Sequence, residues 1–199
     1  MLTPAEAVVE LRQYTLKPGR RDELIDLFDT HFLAGQGEVG IGVPGHFRDL
    51  DDPDRFVWLR SFDSYDARAR ALPGFYYGPV WQTHRATAND TMLDSDDVLM
   101  LRSVPMPPGY PADEPRLDRS QEDRSVVAIT VACLDGPVEP AFVRFVLDRV
   151  APELRAAGGP PLAALDASAQ WRQAVLPQLL AHARLQQLRL RPTAKSRLR

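Results

Sequence analysis

The chain has one cysteine, Cys133, so it can form no internal disulfide and build no cysteine zinc site. Its histidines are His31, His46, His84 and His182. None forms the close HxH or HxxxH pair that puts two ligands on one face, so no metal or haem motif is visible and no cofactor is expected. Lysine is scarce, with Lys17 and Lys195 against 22 arginines. No apolar run approaches the ~20 residues of a membrane span. The opening residues, MLTPAEAVVE, lack a basic segment ahead of an apolar core. These absences lead us to expect a cytoplasmic protein with no membrane partner. A formal net charge of −3 argues against general nucleic-acid binding.

What is present is ordinary globular material: 199 residues, 44% hydrophobic and 26% charged, enough for one or two domains. Charge is uneven along the chain. The last acidic residue is Asp166, after which only basic residues follow, from Arg172 to Arg199. Such an end could touch nucleic acid or anionic lipid. It reads better as a final strand with solvated arginines, because no aromatic residue follows Trp171.

Periodicity predicts a strand at VVELRQY (8–14), with Glu10, Arg12 and Tyr14 on one side and Val9, Leu11 and Gln13 on the other. Pro18-Gly19 turns the chain. An amphipathic helix then spans Arg20 to about Gly35, with Leu24, Leu27, Phe28, His31 and Phe32 on its apolar face; Gly35 and Gly37 are expected to end it. Two strands follow, about Ile41–Leu50 and Arg55–Phe62, joined by the turn DDPD. Ser64 is a helix N-cap for YDARARAL, and Pro73-Gly74 is expected to break that helix. A second helix runs from about Pro79 to Thr91, and a strand over 96–104 closes the set. The order β-α-β-β-α-β is the ferredoxin-like unit.

Residues 105–124 hold five prolines and eight charges and read as a linker. The pattern then restarts: a strand at 125–134, a helix at 138–154, a helix from Trp171 to about His182, and a strand at 184–192. Trp81 precedes LMLR by 18 residues and Trp171 precedes LRLR by 17, which indicates an internal repeat. The second copy lacks the length for a β2–β3 hairpin. The expected organisation is therefore a unit at 1–104, the linker at 105–124, and a truncated second unit at 125–199 offering two strands. Cys133 falls in a strand pattern and reads as a small buried apolar residue.

The segments VELRQYTLKPGRRDELIDLF, GHFRDLDDPDRFVWLRSF and FYYGPVWQTHRATANDTM closely resemble the NIPSNAP family over about residues 7–104. LRLRPTAKSRL at 188–198 resembles the C-terminal strand of its two-unit members. The resemblance implies an α+β, ferredoxin-like fold of the dimeric α/β-barrel type, in tandem units with the second truncated. In that superfamily two units pack their sheets around a small interior. The resemblance also implies a homodimer or pseudo-dimer, and relatives that include cofactor-free monooxygenases and haem-degrading enzymes.

If the helices cover Val9, Leu11, Val57 and Leu59, then Glu10, Arg12, Tyr14, Trp58 and Arg60 face the barrel interior, with His46 and Arg48 as candidates to join them. Aromatic walls with a few convergent polar groups suit a small ligand, and two arginines suit an acid. The competing reading is a polar dimer interface in which Glu10 neutralises the arginines. Trp81 and His84 share a helix face, with Tyr76 and Tyr77 just upstream. His84 could serve as a general base in cofactor-independent oxygenase chemistry, or merely pack. Two letter matches fail: GIGVPG (40–45) enters a strand rather than a helix, and DLDDPD (49–54) lacks the glycine and glutamate of a calcium loop. The function expected is thus a small acidic or aromatic metabolite held in the barrel; a non-catalytic scaffold is the alternative.

Overall fold

The computed structural model describes residues 8–104, 126–132, 134, 138–158, 165–167, 185–193 and 195. Strand β1 (Val8–Leu16) leads through a turn at Gly19, whose φ of 76° suits glycine, into helix α1 (Arg21–Leu27). The helix continues as a π-helical turn (Phe28–Phe32) and then α2 (Leu33–Glu38). Strands β2 (Gly42–Asp49) and β3 (Arg55–Phe62) form a hairpin whose turn is held by Asp49 Oδ1, which accepts from the backbone N–H of Asp51 and Asp52. Helices α3 (Tyr65–Tyr76) and α4 (Pro79–Thr91) and strand β4 (Met92–Ser103) complete the first unit. The Ser64 hydroxyl caps α3 by accepting from Ala67 N–H at 3.1 Å.

The later part adds β5 (Val127–Ala132), α5 (Pro140–Phe145), a second π-helical turn (Val146–Val150), α6 (Ala151–Ala156), β6 (Leu165–Ala167) and β7 (Leu185–Pro192). All seven strands form one antiparallel sheet in the order β5-β7-β2-β3-β1-β4-β6. The second half therefore extends both edges of the four-stranded sheet, β7 on β2 and β6 on β4. Among the described residues it contributes three strands, where two were expected. Three residues are too few for alternation to reveal β6. The proposed linker, the helix expected from Trp171 and Cys133 lie outside the described residues.

Two helix ends differ from expectation. The first helix passes through Gly35 and Gly37 and stops before Gly40, whose φ is 82°. Gly35 instead permits close packing: a Cβ there would lie 3.0 Å from Val80 Cγ1 on α4. Helix α3 passes Pro73 and ends at Tyr76, because buried Phe75 anchors its last turn against Phe32 and Trp81.

The sheet buries both faces, and the sidedness is the reverse of expectation. One face packs Val8, Tyr14, Phe56, Trp58, Phe62 and Met100 under Leu24, Ile25, Phe28, Phe32 and Phe75 of the helices. The other gathers Val9, Leu11, Phe47, Val57, Leu59 and Leu101 with Leu188 and Leu190 of β7, and Val127, Ile129 and Val131 of β5 pack against them. Glu10, Arg12, Tyr14, Trp58 and Arg60 thus lie beneath the helices, and the inner face is an apolar core. The physical reason is that β5 and β7 cover the aliphatic face from within the chain, which leaves the helices to the mixed one.

Leu190 is fully buried in that inner core. Leu190→Ala should therefore lower unfolding free energy by about 2–5 kcal/mol, the range for buried leucine truncations. Urea denaturation checks this; a change within error would mean that β7 does not close the core.

Candidate functional site

The site begins with register. On β1 and β3, Glu10 stands opposite Arg60, Arg12 opposite Trp58 and Tyr14 opposite Phe56. Period-two alternation puts all six on the helix-covered face. The Glu10 carboxylate is fully buried there and accepts three charged hydrogen bonds. Arg12 Nη1 and Arg60 Nε donate to Oε2 at 2.7 and 2.6 Å, and Arg68 Nε of α3 donates to Oε1 at 2.6 Å. Three guanidinium groups share one carboxylate, a local surplus of two positive charges. The two strand arginines also lie over the Trp58 ring, 5.5 and 5.6 Å from its centre.

Burial alone would raise the Glu10 carboxyl, but Arg60, Arg12 and Arg68 overcome it and hold the group at about 2. Burial would lower the Arg12 guanidinium; its neighbours Tyr14 and Glu10 reverse that and raise it. Burial raises the Tyr14 phenol, which therefore stays protonated at neutral pH. The phenol oxygen of Tyr14 accepts from Arg12 Nε at 3.0 Å, and that of Tyr76 accepts from Arg60 Nη1 at 3.2 Å.

Beside this network lies a cavity of about 130 Å³. Arg12, Tyr14 and Trp58 form its floor, and Leu24, Phe28, Phe32 and Gln36 one wall. Phe75, Tyr76 and Trp81 form the opposite wall, with Ala88, Asn89, Met92 and Ser95 around the remainder. The rings meet edge to face, with Phe28 4.9 Å and Tyr14 5.9 Å from Trp58. The first wall is a row of residues four apart. In an α-helix each four-residue step overshoots a full turn by ~40°, so such a row drifts around the axis. The wider i→i+5 turn at Phe28–Phe32 takes back part of that drift and keeps the row facing the cavity. Two of the lining residues each carry a buried polar atom with no protein partner: Trp58 Nε1, a donor, and Gln36 Oε1, an acceptor.

Of the residues predicted for a site, Arg12, Tyr14, Trp58 and Trp81 line the cavity, while Glu10 and Arg60 brace it from behind. The others are elsewhere. His46 is buried and its Nε2 meets Asp29 Oδ1 at 2.6 Å; Arg48 pairs with Asp22 on the surface. Tyr77 is 83% exposed. His84 does not line the cavity; it stacks on His31 with ring centres 3.9 Å apart, because its side of α4 faces the π-helical turn. Tyr76, noted with Tyr77 beside Trp81, also lines the cavity, whereas sequence reasoning missed Gln36 and Arg68. The four-residue spacing from Leu24 to Gln36 was a signal for the first of these.

Among the described residues no group of three or more His, Cys, Asp or Glu side chains could hold a metal ion, and no helix is long and apolar enough to cross a membrane. The family model for NIPSNAP matches residues 9–108. The chain belongs to the NIPSNAP family. Every described residue that lines the cavity lies within that NIPSNAP segment. A NIPSNAP family protein from Agrobacterium tumefaciens is similar in structure at 20% identity, covering 53% of this chain and 93% of its own, with a TM-score of 0.48. An uncharacterised NIPSNAP-like domain protein from Burkholderia xenovorans is 24% identical, covering 54% and 92%, with a TM-score of 0.46. No curated protein matches the chain.

Because the folded-state carboxyl of Glu10 lies below its unfolded value of 4.5, its contribution to stability is fully present above pH 4.5 and is lost as pH falls toward about 2. Glu10→Gln should destabilise the protein by about 3–5 kcal/mol at pH 7, since it leaves buried guanidinium groups unpaired. The deficit should shrink on acidification through that window. Thermal melts of both proteins from pH 7 to 2.5 check this; a deficit independent of pH would contradict the ionised pairing.

Proposed function

We propose that the protein binds a compact, ring-sized organic acid in the cavity beneath its helices, rather than in the barrel interior expected from the sequence. The observation that carries this reading is the aromatic hollow set against a surplus of two guanidinium charges. At about 130 Å³ the hollow is slightly smaller than the ~150 Å³ cavity that accommodates benzene, so a single ring fills it, with exposed Asn89 at its rim. The acid group meets Arg12, whose side chain is 12% exposed, and the ring lies against Phe28, Phe32, Trp58 and Trp81. Binding the anion there offsets charge that Glu10 leaves uncompensated.

The lining favours binding over oxygenase-like chemistry. Such chemistry needs a base beside the substrate, and the titratable groups at the floor are a permanent cation and a protonated phenol. A scaffold role resting on the polar face is also less well supported, because that face lies beneath the chain's own helices. Likewise the inner face finds its cover in β5 and β7, so sheet packing there does not call for a second chain.

Isothermal titration with benzoate tests the proposal. Binding should be saturable and should weaken with salt. Ala88 is fully buried on the cavity wall, so Ala88→Leu should fill the hollow and abolish binding. The overpacking should cost about 1–3 kcal/mol of stability. Exposed Tyr77→Ala should bind as the parent does. Undiminished binding by Ala88→Leu would place the ligand elsewhere.

A further inference from the structure

The Glu10 cluster does not stop at its arginines. Arg12 donates Nη1 to Glu10 Oε2 and Nε to the phenol oxygen of Tyr14. Arg60 donates Nε to the same Oε2 and Nη1 to the phenol oxygen of Tyr76. One carboxylate oxygen therefore roots two branches, and each branch ends on a tyrosine that lines the cavity. The first branch stays on β1. The second starts from β3 and is met by Tyr76 from the end of α3.

A phenol carries one proton and can both accept and donate. In each branch a guanidinium fills the accepting role, so the proton is left to be given away. Among the described residues neither hydroxyl donates to a protein acceptor, and no Asp or Glu lines the cavity to take either proton. Arg60 does not line the cavity. Its bond reaches the Tyr76 oxygen from behind the wall and leaves the cavity side to the proton. The Tyr14 oxygen lies 3.0 Å from Nε of Arg12, a residue of the cavity floor. Hydrogen bonds in series polarise one another, so donation from a cation makes each O–H a stronger donor. Burial raises the Tyr14 phenol, Arg12 opposes this, and nearby Tyr76 adds to the rise.

We propose that the hydroxyls of Tyr14 and Tyr76, together with Arg12, receive the acid group of the ligand, and that they select a carboxylate over its amide. This rests on the cavity being the binding site, and it names what reads the acid there. Every group on the receiving side is a donor. A carboxylate brings only acceptors and can satisfy all of them. An amide of the same shape turns its NH₂ toward one of them, so that two donors face each other unpaired.

Titration of the full chain with benzoate and benzamide tests this, on the parent and on Tyr14→Phe and Tyr76→Phe. Each substitution keeps the ring and removes the proton. The parent should bind benzoate roughly tenfold or more tighter than benzamide, and each variant should lose roughly tenfold in benzoate affinity, the scale of one hydrogen bond to a charged group. Benzamide should lose much less, so the preference narrows. Exposed Tyr65→Phe should match the parent. A folded variant of either cavity tyrosine that binds benzoate within about twofold of the parent would overturn the inference and leave the cavity reading intact, with Arg12 alone holding the acid. An equal loss of benzoate and benzamide would also overturn it, because it marks the tyrosine as structural. Should a variant fail to fold, the parent labelled at tyrosine Cζ decides by NMR. Saturating benzoate should move two of the five tyrosine resonances downfield, toward the phenolate position; no such movement would overturn the inference. If benzoate does not bind the parent, the cavity reading falls and the inference falls with it.

Discussion

A carboxylate buried under helices must be paired or it will not stay ionised. Glu10 meets that constraint with three arginines from three elements: its own strand, the neighbouring strand and helix α3. The pairing sets the register of β1 against β3 and ties α3 to the sheet. It overshoots neutrality, and that excess is what makes the adjoining hollow suited to an anion. The structural pairing and the proposed anion site thus draw on one cluster.

The helix that roofs the sheet contributes geometry rather than charge. Its π-helical turn keeps Leu24, Phe28, Phe32 and Gln36 in one line. A regular helix would carry the later residues away from Trp58. Gly35, one residue before Gln36, lets α4 approach through Val80 and brings Ala88 toward the same space. Small local departures from regular helix thus define where the cavity lies.

Much of this was legible beforehand. Strand β3 and helix α4 occupy the residues that alternation and helical periodicity assigned to them, and the β-α-β-β-α-β order and family resemblance hold. Alternation also grouped Glu10, Arg12 and Tyr14 correctly on one side of β1. It could not say which side the helices cover. The choice of Val9, Leu11, Val57 and Leu59 followed the rule that apolar faces meet helices, but β5 and β7 arrive from far along the chain and claim that face. His84 and Tyr77 share a helix or its edge with Trp81, yet a few tens of degrees of rotation decide who faces a hollow. Gln36 was passed over because a glutamine near a helix end ordinarily marks solvent.

Strand β1 faces two environments that answer to different parts of the chain. Its inner side is packed by residues beyond position 126, while every described residue around the hollow lies between positions 12 and 95. Substitutions in the later half therefore bear on the inner core, whereas the proposed ligand site answers to the first half. On the proposed function, the arrangement separates core stability from ligand recognition along the chain.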